Sequence, residues 1–224
     1  MYRASAGEKV AMLTVKKFTV TLFQQNCRLL ICDETREAVL IDPGGDTNVI
    51  IPGIEKEKVT LKGIWLTHSH IDHCGGVAAI KRKFPVEVWA HPAEKMFRSH
   101  VVEICAMYGV EPGDMDACPE PEHEIIGGET LRFGKQAFTV LFTPGHAPGH
   151  VVFYCDAEKL LIAGDTLFAG SIGRTDIPGG DHGVLMESIR QQILTLPPET
   201  RVLPGHGPDT TVGIERESNP FLTE

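Results

Sequence analysis

The stretch Thr67-His68-Ser69-His70-Ile71-Asp72-His73 places four side chains able to bind a metal, His68, His70, Asp72 and His73, within six residues, after an apolar segment and shortly before Gly75-Gly76. Imidazole and carboxylate together suit zinc or a similar transition metal, and a short loop at a strand end aims them at one point. Three more His or Asp residues stand among glycines and prolines that let the backbone turn tightly beside an ion: Pro144-Gly145-His146, Ala163-Gly164-Asp165 and Pro204-Gly205-His206-Gly207. His68, His70 and His146 can form one three-nitrogen site and Asp72, His73 and His206 a second, with Asp165 placing one oxygen on each metal. The expected cofactor is two divalent metal ions, zinc first, with iron and manganese accepted by the same donors. Ions about 3.5–4 Å apart share a bridging hydroxide, which makes water a nucleophile near neutral pH. The chemistry implied is hydrolysis at an electrophilic carbon or phosphorus, with Asp72 and Asp165 as its catalytic carboxylates.

In order and number these seven residues resemble the signature of the metallo-β-lactamase superfamily, HxHxDH followed by a separate His, an Asp and a last His. Within it the chain is similar to the hydroxyacylglutathione hydrolases (type II glyoxalases), most of all to their short single-domain bacterial form. Three segments carry that closer match: Gln25-Asn26-Cys27; Gly164-Asp165-Thr166-Leu167-Phe168 continuing to Gly173-Arg174-Thr175-Asp176; and Pro204-Gly205-His206-Gly207-Pro208 through Glu215 to Asn219-Pro220-Phe221. The resemblance implies a metal-dependent hydrolase that cleaves a small-molecule, glutathione-linked thioester, S-D-lactoylglutathione or a related hydroxyacyl thioester, to hydroxy acid and thiol. It implies that Arg174 meets the glycine carboxylate of glutathione, with a loop ion pair to Asp176 or Asp181 as the structural alternative. It also implies that Asp42 supports the metal loop from behind, holding a ligand histidine in one tautomer. The helical C-terminal domain that supplies glutathione contacts in longer members is expected to be missing, and Asp176 stands where those members have an aromatic residue.

The nearest rival is an iron-dependent persulfide dioxygenase. That group resembles the same subfamily, carries the Gly-Arg-Thr-Asp segment and uses a single iron held by two His and one Asp. Ala147-Pro148-Gly149-His150 and the Pro-Gly-His-Gly-Pro ending favour the hydrolase. A lactamase or phosphodiesterase on the same ligands ranks lower.

The elements that must position these residues read as strands at about 13–23, 27–32, 37–41, 62–66 and 86–90, with helices over 48–57, 75–83 and most of 93–108. Further strands follow near 130–133, 137–142, 150–155, 159–164 and 201–203, with helices near 182–195 and 210–217. Periodicity alone gives an α/β protein with a mixed sheet; helices outside mixed sheets, together with the resemblance, imply a four-layer αββα sandwich of two mixed β-sheets flanked by helices. The 224 residues, 42% hydrophobic and 23% charged, suit one hydrolase domain over 12–224. Residues 1–11 precede it as an extension or tag.

A formal charge of −9 disfavours nucleic acid, and Lys81-Arg82-Lys83 reads as a solvated helix end. With neither a membrane-length apolar run nor a secretory signal, the expected location is cytoplasmic. Six cysteines without a CxxC pair read as reduced thiols. His150 is expected to hydrogen-bond behind the ligands. His91 is a candidate substrate contact, and His182 a candidate at the entrance to the site. The sequence does not fix the oligomeric state.

Overall fold

The computed structural model describes residues 12–223, so the extension expected over residues 1–11 lies outside the described residues. Strand β1 (Leu13–Val20) pairs antiparallel with β2 (Gln25–Cys32), and β2 with β3 (Glu37–Ile41). The chain then crosses over through α1 (Thr47–Glu57) so that β4 (Thr60–Trp65) lies parallel to β3. After α2 (Ile71–Cys74) and α3 (Val77–Lys83), β5 (Glu87–Ala90) continues the parallel half. Helices α4 (Lys95–Ser99) and α5 (Val101–Tyr108) lead to β6 (His123–Glu124), which closes a mixed six-stranded sheet in the order β1-β2-β3-β4-β5-β6.

The second sheet opens as an antiparallel meander of β7 (Thr130–Phe133), β8 (Gln136–Phe142), β9 (Val151–Cys155) and β10 (Leu160–Gly164). A small hairpin of β11 (Leu167–Phe168) and β12 (Ser171–Ile172) precedes α6 (His182–Ser188), which widens into a π-helical turn over Ile189–Ile193. β13 (Arg201–Pro204) then joins β10 in parallel, β14 (Thr210–Thr211) pairs antiparallel with β13, and α7 (Val212–Ser218) follows.

Period-two alternation sorts the strand residues into three apolar layers. In β2, Leu29 and Ile31 face the helices of the first sheet, while Leu30 and Cys32 face the second sheet. In β10, Leu160 and Ile162 point inward and Leu161 and Ala163 meet α6 and α7. The inter-sheet layer centres on Trp65, whose ring packs edge-on against Phe133 and Phe138 at 5.7 Å. Helix, sheet, sheet, helix is therefore the observed order, the αββα sandwich expected.

Several boundaries differ from the sequence reading. β1 stops at Val20 because Thr21 and Gln24 take left-handed backbone (φ 60° and 54°) and Gln24 N–H closes a turn on Thr21 O, although the apolar alternation runs on to Phe23. The helix expected from residue 93 is broken at His100, where φ is −123°, into α4 and α5. The metal loop is itself partly helical: Ile71 opens α2, so Asp72 and His73 sit on one turn of helix. The short strands β6, β11, β12 and β14 carry too few residues for periodicity to reveal.

The six cysteines are buried free thiols. Lys81, Arg82 and Lys83 end α3 and pair with Glu122, Asp116 and Glu55, a solvated helix end. No described helix is long and apolar enough to cross a membrane.

Candidate metal centre

The loops that follow β4, β8, β10 and β13 meet at one edge of the sandwich, because β10 and β13 are parallel and the β8–β9 loop lies at the same end of its sheet. Two backbone hydrogen bonds stitch the edge: Val151 N–H donates to Thr67 O at 2.8 Å, and Asn26 N–H to Gly205 O at 2.7 Å. Backbone approaches closely here. A Cβ on Gly205 would lie 2.2 Å from Asp165 Oδ1 and 2.8 Å from His73 Cε1, so only glycine lets the His206 loop pass.

All seven expected ligands converge. His68, His70 and His146 form one group able to hold an ion, Asp72, His73 and His206 another, and Asp165 joins His68 and His73. His146 Nε2 lies 2.9 Å from His70 Nδ1, and His206 Nε2 lies 3.2 Å from Asp72 Oδ2. Asp165 Oδ2 stands between the groups, 3.6 Å from His146 Nε2 and 3.4 Å from His206 Nε2, while Oδ1 is 3.4 Å from His73 Nε2. Three atoms at this junction, His68 Nε2, His73 Nε2 and Asp165 Oδ1, are buried without a hydrogen-bond partner. Leaving a buried polar atom unsatisfied costs about 1–3 kcal/mol. Nitrogen and carboxylate donors aimed at one point fit divalent transition-metal ions.

The outer hydrogen bonds choose the tautomers. Asp42 accepts from Thr67 N–H at 2.8 Å through Oδ1; its Oδ2 accepts from the Thr67 hydroxyl at 2.7 Å and from His73 Nδ1–H at 3.0 Å. With its proton committed to Asp42, Thr67 Oγ1 is left to accept from His68 Nδ1–H at 3.1 Å. One buried carboxylate thereby fixes the Nδ1 proton on two histidines, one in each group, and leaves Nε2 as the nitrogen that faces the junction. His146 Nδ1–H donates to Arg174 O at 2.8 Å and His206 Nδ1–H to Phe23 O at 3.0 Å, which leaves their Nε2 atoms facing the junction too. His150 is fully buried; its Nε2 accepts from Asp165 N–H at 3.0 Å and its Nδ1–H donates to Thr143 Oγ1. It braces the backbone of Asp165.

The two groups differ in charge. Burial, reinforced by neighbouring histidines, holds His68 far below the ordinary imidazole range and pushes His70 down to about 3, and burial also lowers His146. Burial acts the same way on His73, but Asp165, Asp72 and Asp42 outweigh it and push that residue up to about 10. In Asp72 burial raises the carboxyl, yet His73 and His206 outweigh burial and hold it well below the usual carboxylate range. A metal entering the second group must therefore displace the His73 proton, whereas the first group is already neutral at pH 7. Burial lowers His206 as well, but Asp72 and Asp165 outweigh it and hold that imidazole above its ordinary range, so apparent affinity at the second group should rise by at least about tenfold per pH unit up to about pH 10, where His73 loses its proton unaided. Calorimetric titration in buffers of different ionisation enthalpy should find at least about one more proton released on filling the second group than on filling the first; equal release would contradict this assignment of charge.

The metallo-β-lactamase superfamily model matches residues 20–206. The chain belongs to this superfamily. Hydroxyacylglutathione hydrolase GloC of Haemophilus influenzae is 39% identical over 211 residues, 94% of this chain and 98% of that protein. The crystal structure of BLEG-1 B3 metallo-beta-lactamase superposes with a TM-score of 0.87 at 39% identity, covering 94% of this chain and 100% of that one. TTHA1623, solved in a di-iron-bound form, gives 0.83 at 37% identity and covers 92% and 100%. The superfamily's fold and metal-binding hydrolase character are thus those of this chain.

A cavity of about 490 Å³ opens over the centre, lined by His70, Asp72, His146, Asp165 and His206 at its floor. Arg174 lines it too, but its guanidinium is held in a bidentate pair by Asp176, Nε–Oδ1 2.8 Å and Nη2–Oδ2 2.9 Å. His91 and His182 are not among the lining residues. His91 Nδ1 instead accepts from Ala93 N–H, and its ring stacks on Phe142 at 5.1 Å.

Sequence reasoning missed Glu94. It is fully buried, accepts from Ser69 N–H at 3.0 Å and from Gly149 N–H at 2.6 Å, and so ties the loop of His68 and His70 to the loop of His146. Charged residues in apparent helices are common on surfaces, so nothing in the pattern around Pro92 marks it. Glu94→Gln exchanges one acceptor oxygen for a donor facing an N–H. Stability should fall by about 1–3 kcal/mol, read as a lower Tm, with faster loss of metal from the His68, His70 and His146 group; an unchanged Tm and unchanged retention would remove Glu94 from the account.

Proposed function

We propose that the protein is a binuclear metallohydrolase that cleaves thioesters, with S-D-lactoylglutathione or a related hydroxyacyl thioester as substrate class. The observation that carries the reading is the pair of donor groups sharing Asp165 beneath one cavity, and the 39% identity to a protein named hydroxyacylglutathione hydrolase supports it. His68, His70 and His146 would hold one ion, Asp72, His73 and His206 the other, and Asp165 would bridge. Ions held by these residues would supply Lewis acidity, which generates a nucleophile from water near neutral pH and polarises a carbonyl. The chain's own groups do the rest. Asp42 and Thr67 keep the histidine Nε2 atoms aimed inward, and Asp72 orients the attacking water by accepting its hydrogen bond. A thiolate is a good leaving group, so departure needs little help from an acid.

The dioxygenase reading needs a single iron on two His and one Asp, a subset of the donors present here, so metal stoichiometry and reaction separate the two readings. A β-lactam amide is a second electrophile to test, because one relative of 39% identity is named a B3 metallo-beta-lactamase. Metal-loaded protein should hydrolyse S-D-lactoylglutathione, show no oxygen uptake with glutathione persulfide, and turn over a chromogenic cephalosporin far more slowly. Oxygen uptake without thioester cleavage would put the dioxygenase in its place.

Arg174 would meet a carboxylate of the thiol carrier only by leaving Asp176. Freeing it with Asp176→Asn should lower KM for glutathione thioesters by roughly threefold to fivefold with kcat little changed, an effect of the size that exposed ion pairs carry. A KM that rises or stays constant would show that Arg174 takes no part in binding.

A further inference from the structure

The upper wall of the cavity has no role in the chemistry above. It is formed by Phe97, Ile104, Met107 and Tyr108 from α4 and α5, facing Ile177 and Pro178. Helix α5 is apolar on two faces: Val101 and Cys105 enter the core beneath it, while Ile104, Met107 and Tyr108, at the i, i+3, i+4 spacing of one helix stripe, turn to the cavity. Met107 is 82% and Tyr108 59% exposed, large apolar groups left in water. The wall begins at the metal-ligand floor, where the Phe97 and His70 ring centroids are 5.3 Å apart.

We propose, resting on the thioesterase reading, that this wall receives the acyl half of the substrate and that the acyl group is an extended apolar chain larger than lactoyl. A thiol carrier such as glutathione is ionic, and among the described residues lining the cavity Arg174 is the one Lys or Arg, already chelated by Asp176. Only the acyl half of such a thioester can be uncharged, so only that half gains by covering the wall. A lactoyl group is short and hydroxylated and would leave the exposed Met107 and Tyr108 in water. The reaction is ordinary hydrolysis: water adds to the carbonyl carbon, the C–S bond breaks, and a carboxylic acid and a thiol leave.

The test compares kcat/KM of metal-loaded protein on S-hexanoylglutathione and S-D-lactoylglutathione, then repeats both with Met107→Ser, an exposed position where folding is not at stake. Hexanoyl should be preferred by at least about tenfold, since each methylene laid on the wall is worth roughly fourfold. The lactoyl hydroxyl activates its own carbonyl, so such a preference arises in binding rather than in intrinsic reactivity. Met107→Ser should reduce the hexanoyl-to-lactoyl ratio by about threefold or more. Equal or faster lactoyl cleavage, or a ratio that Met107→Ser leaves alone, overturns the acyl assignment while the thioesterase reading stands. Cleavage of neither thioester overturns both.

Discussion

Asp165→Asn should lower thioester turnover by about three decades or more and leave the protein with fewer than two tightly held metals. The carboxylate is the one group whose oxygens face ligands of both halves, His146 and His206 through Oδ2 and His73 through Oδ1. Asparagine keeps the shape but removes the charge, and turns an N–H₂ donor toward positions where an anion is needed. Loss of one of two ions removes several kcal/mol of transition-state stabilisation, which is the basis of the magnitude. The fold should survive, because the backbone N–H of residue 165 still donates to His150 Nε2. Metal analysis of the gel-filtered variant beside its steady-state rate checks this; two retained metals with near-normal turnover would show that Asp165 does not bridge.

Asp42→Asn should weaken metal binding by about 10–100-fold without touching a ligand. Asp42 Oδ2 accepts two hydrogen bonds, from the Thr67 hydroxyl and from His73 Nδ1–H. An amide nitrogen there meets two donors. The hydroxyl must turn away, which disturbs its acceptance from His68 Nδ1–H, and the His73 ring loses what fixes its tautomer. Asparagine is the informative replacement because residue 42 has left-handed backbone, φ 49°, which Asn tolerates and most other residues do not. Competition with a chromophoric chelator measures the effect. Unchanged affinity would reduce Asp42 to a turn residue.

These two residues also mark what the sequence made legible. Asp165 is visible because it follows Gly164 and takes its place in an order of His and Asp residues that resembles a known signature, and the other six members of the donor cluster are legible in the same way. Asp42 was readable only through the resemblance, since Ile41-Asp42-Pro43-Gly44 alone describes a turn. Glu94 was hidden because its two partners, Ser69 N–H and Gly149 N–H, are backbone groups from loops far apart in the chain. The sequence offers Arg174 either to a substrate carboxylate or to a loop ion pair with Asp176 or Asp181, and side-chain geometry selects Asp176. The three-layer core was written in strand alternation, whereas the two-residue strands and the break at His100 depend on neighbours that periodicity does not see.

The central claim is that thioester cleavage requires both donor groups to be filled. Metal-free protein titrated with zinc, and separately with iron under anaerobic conditions, while S-D-lactoylglutathione cleavage is followed, tests it most directly. Turnover should stay low at the first equivalent and rise to a plateau at the second. Full activity at a single equivalent, with no gain from the next, would contradict it.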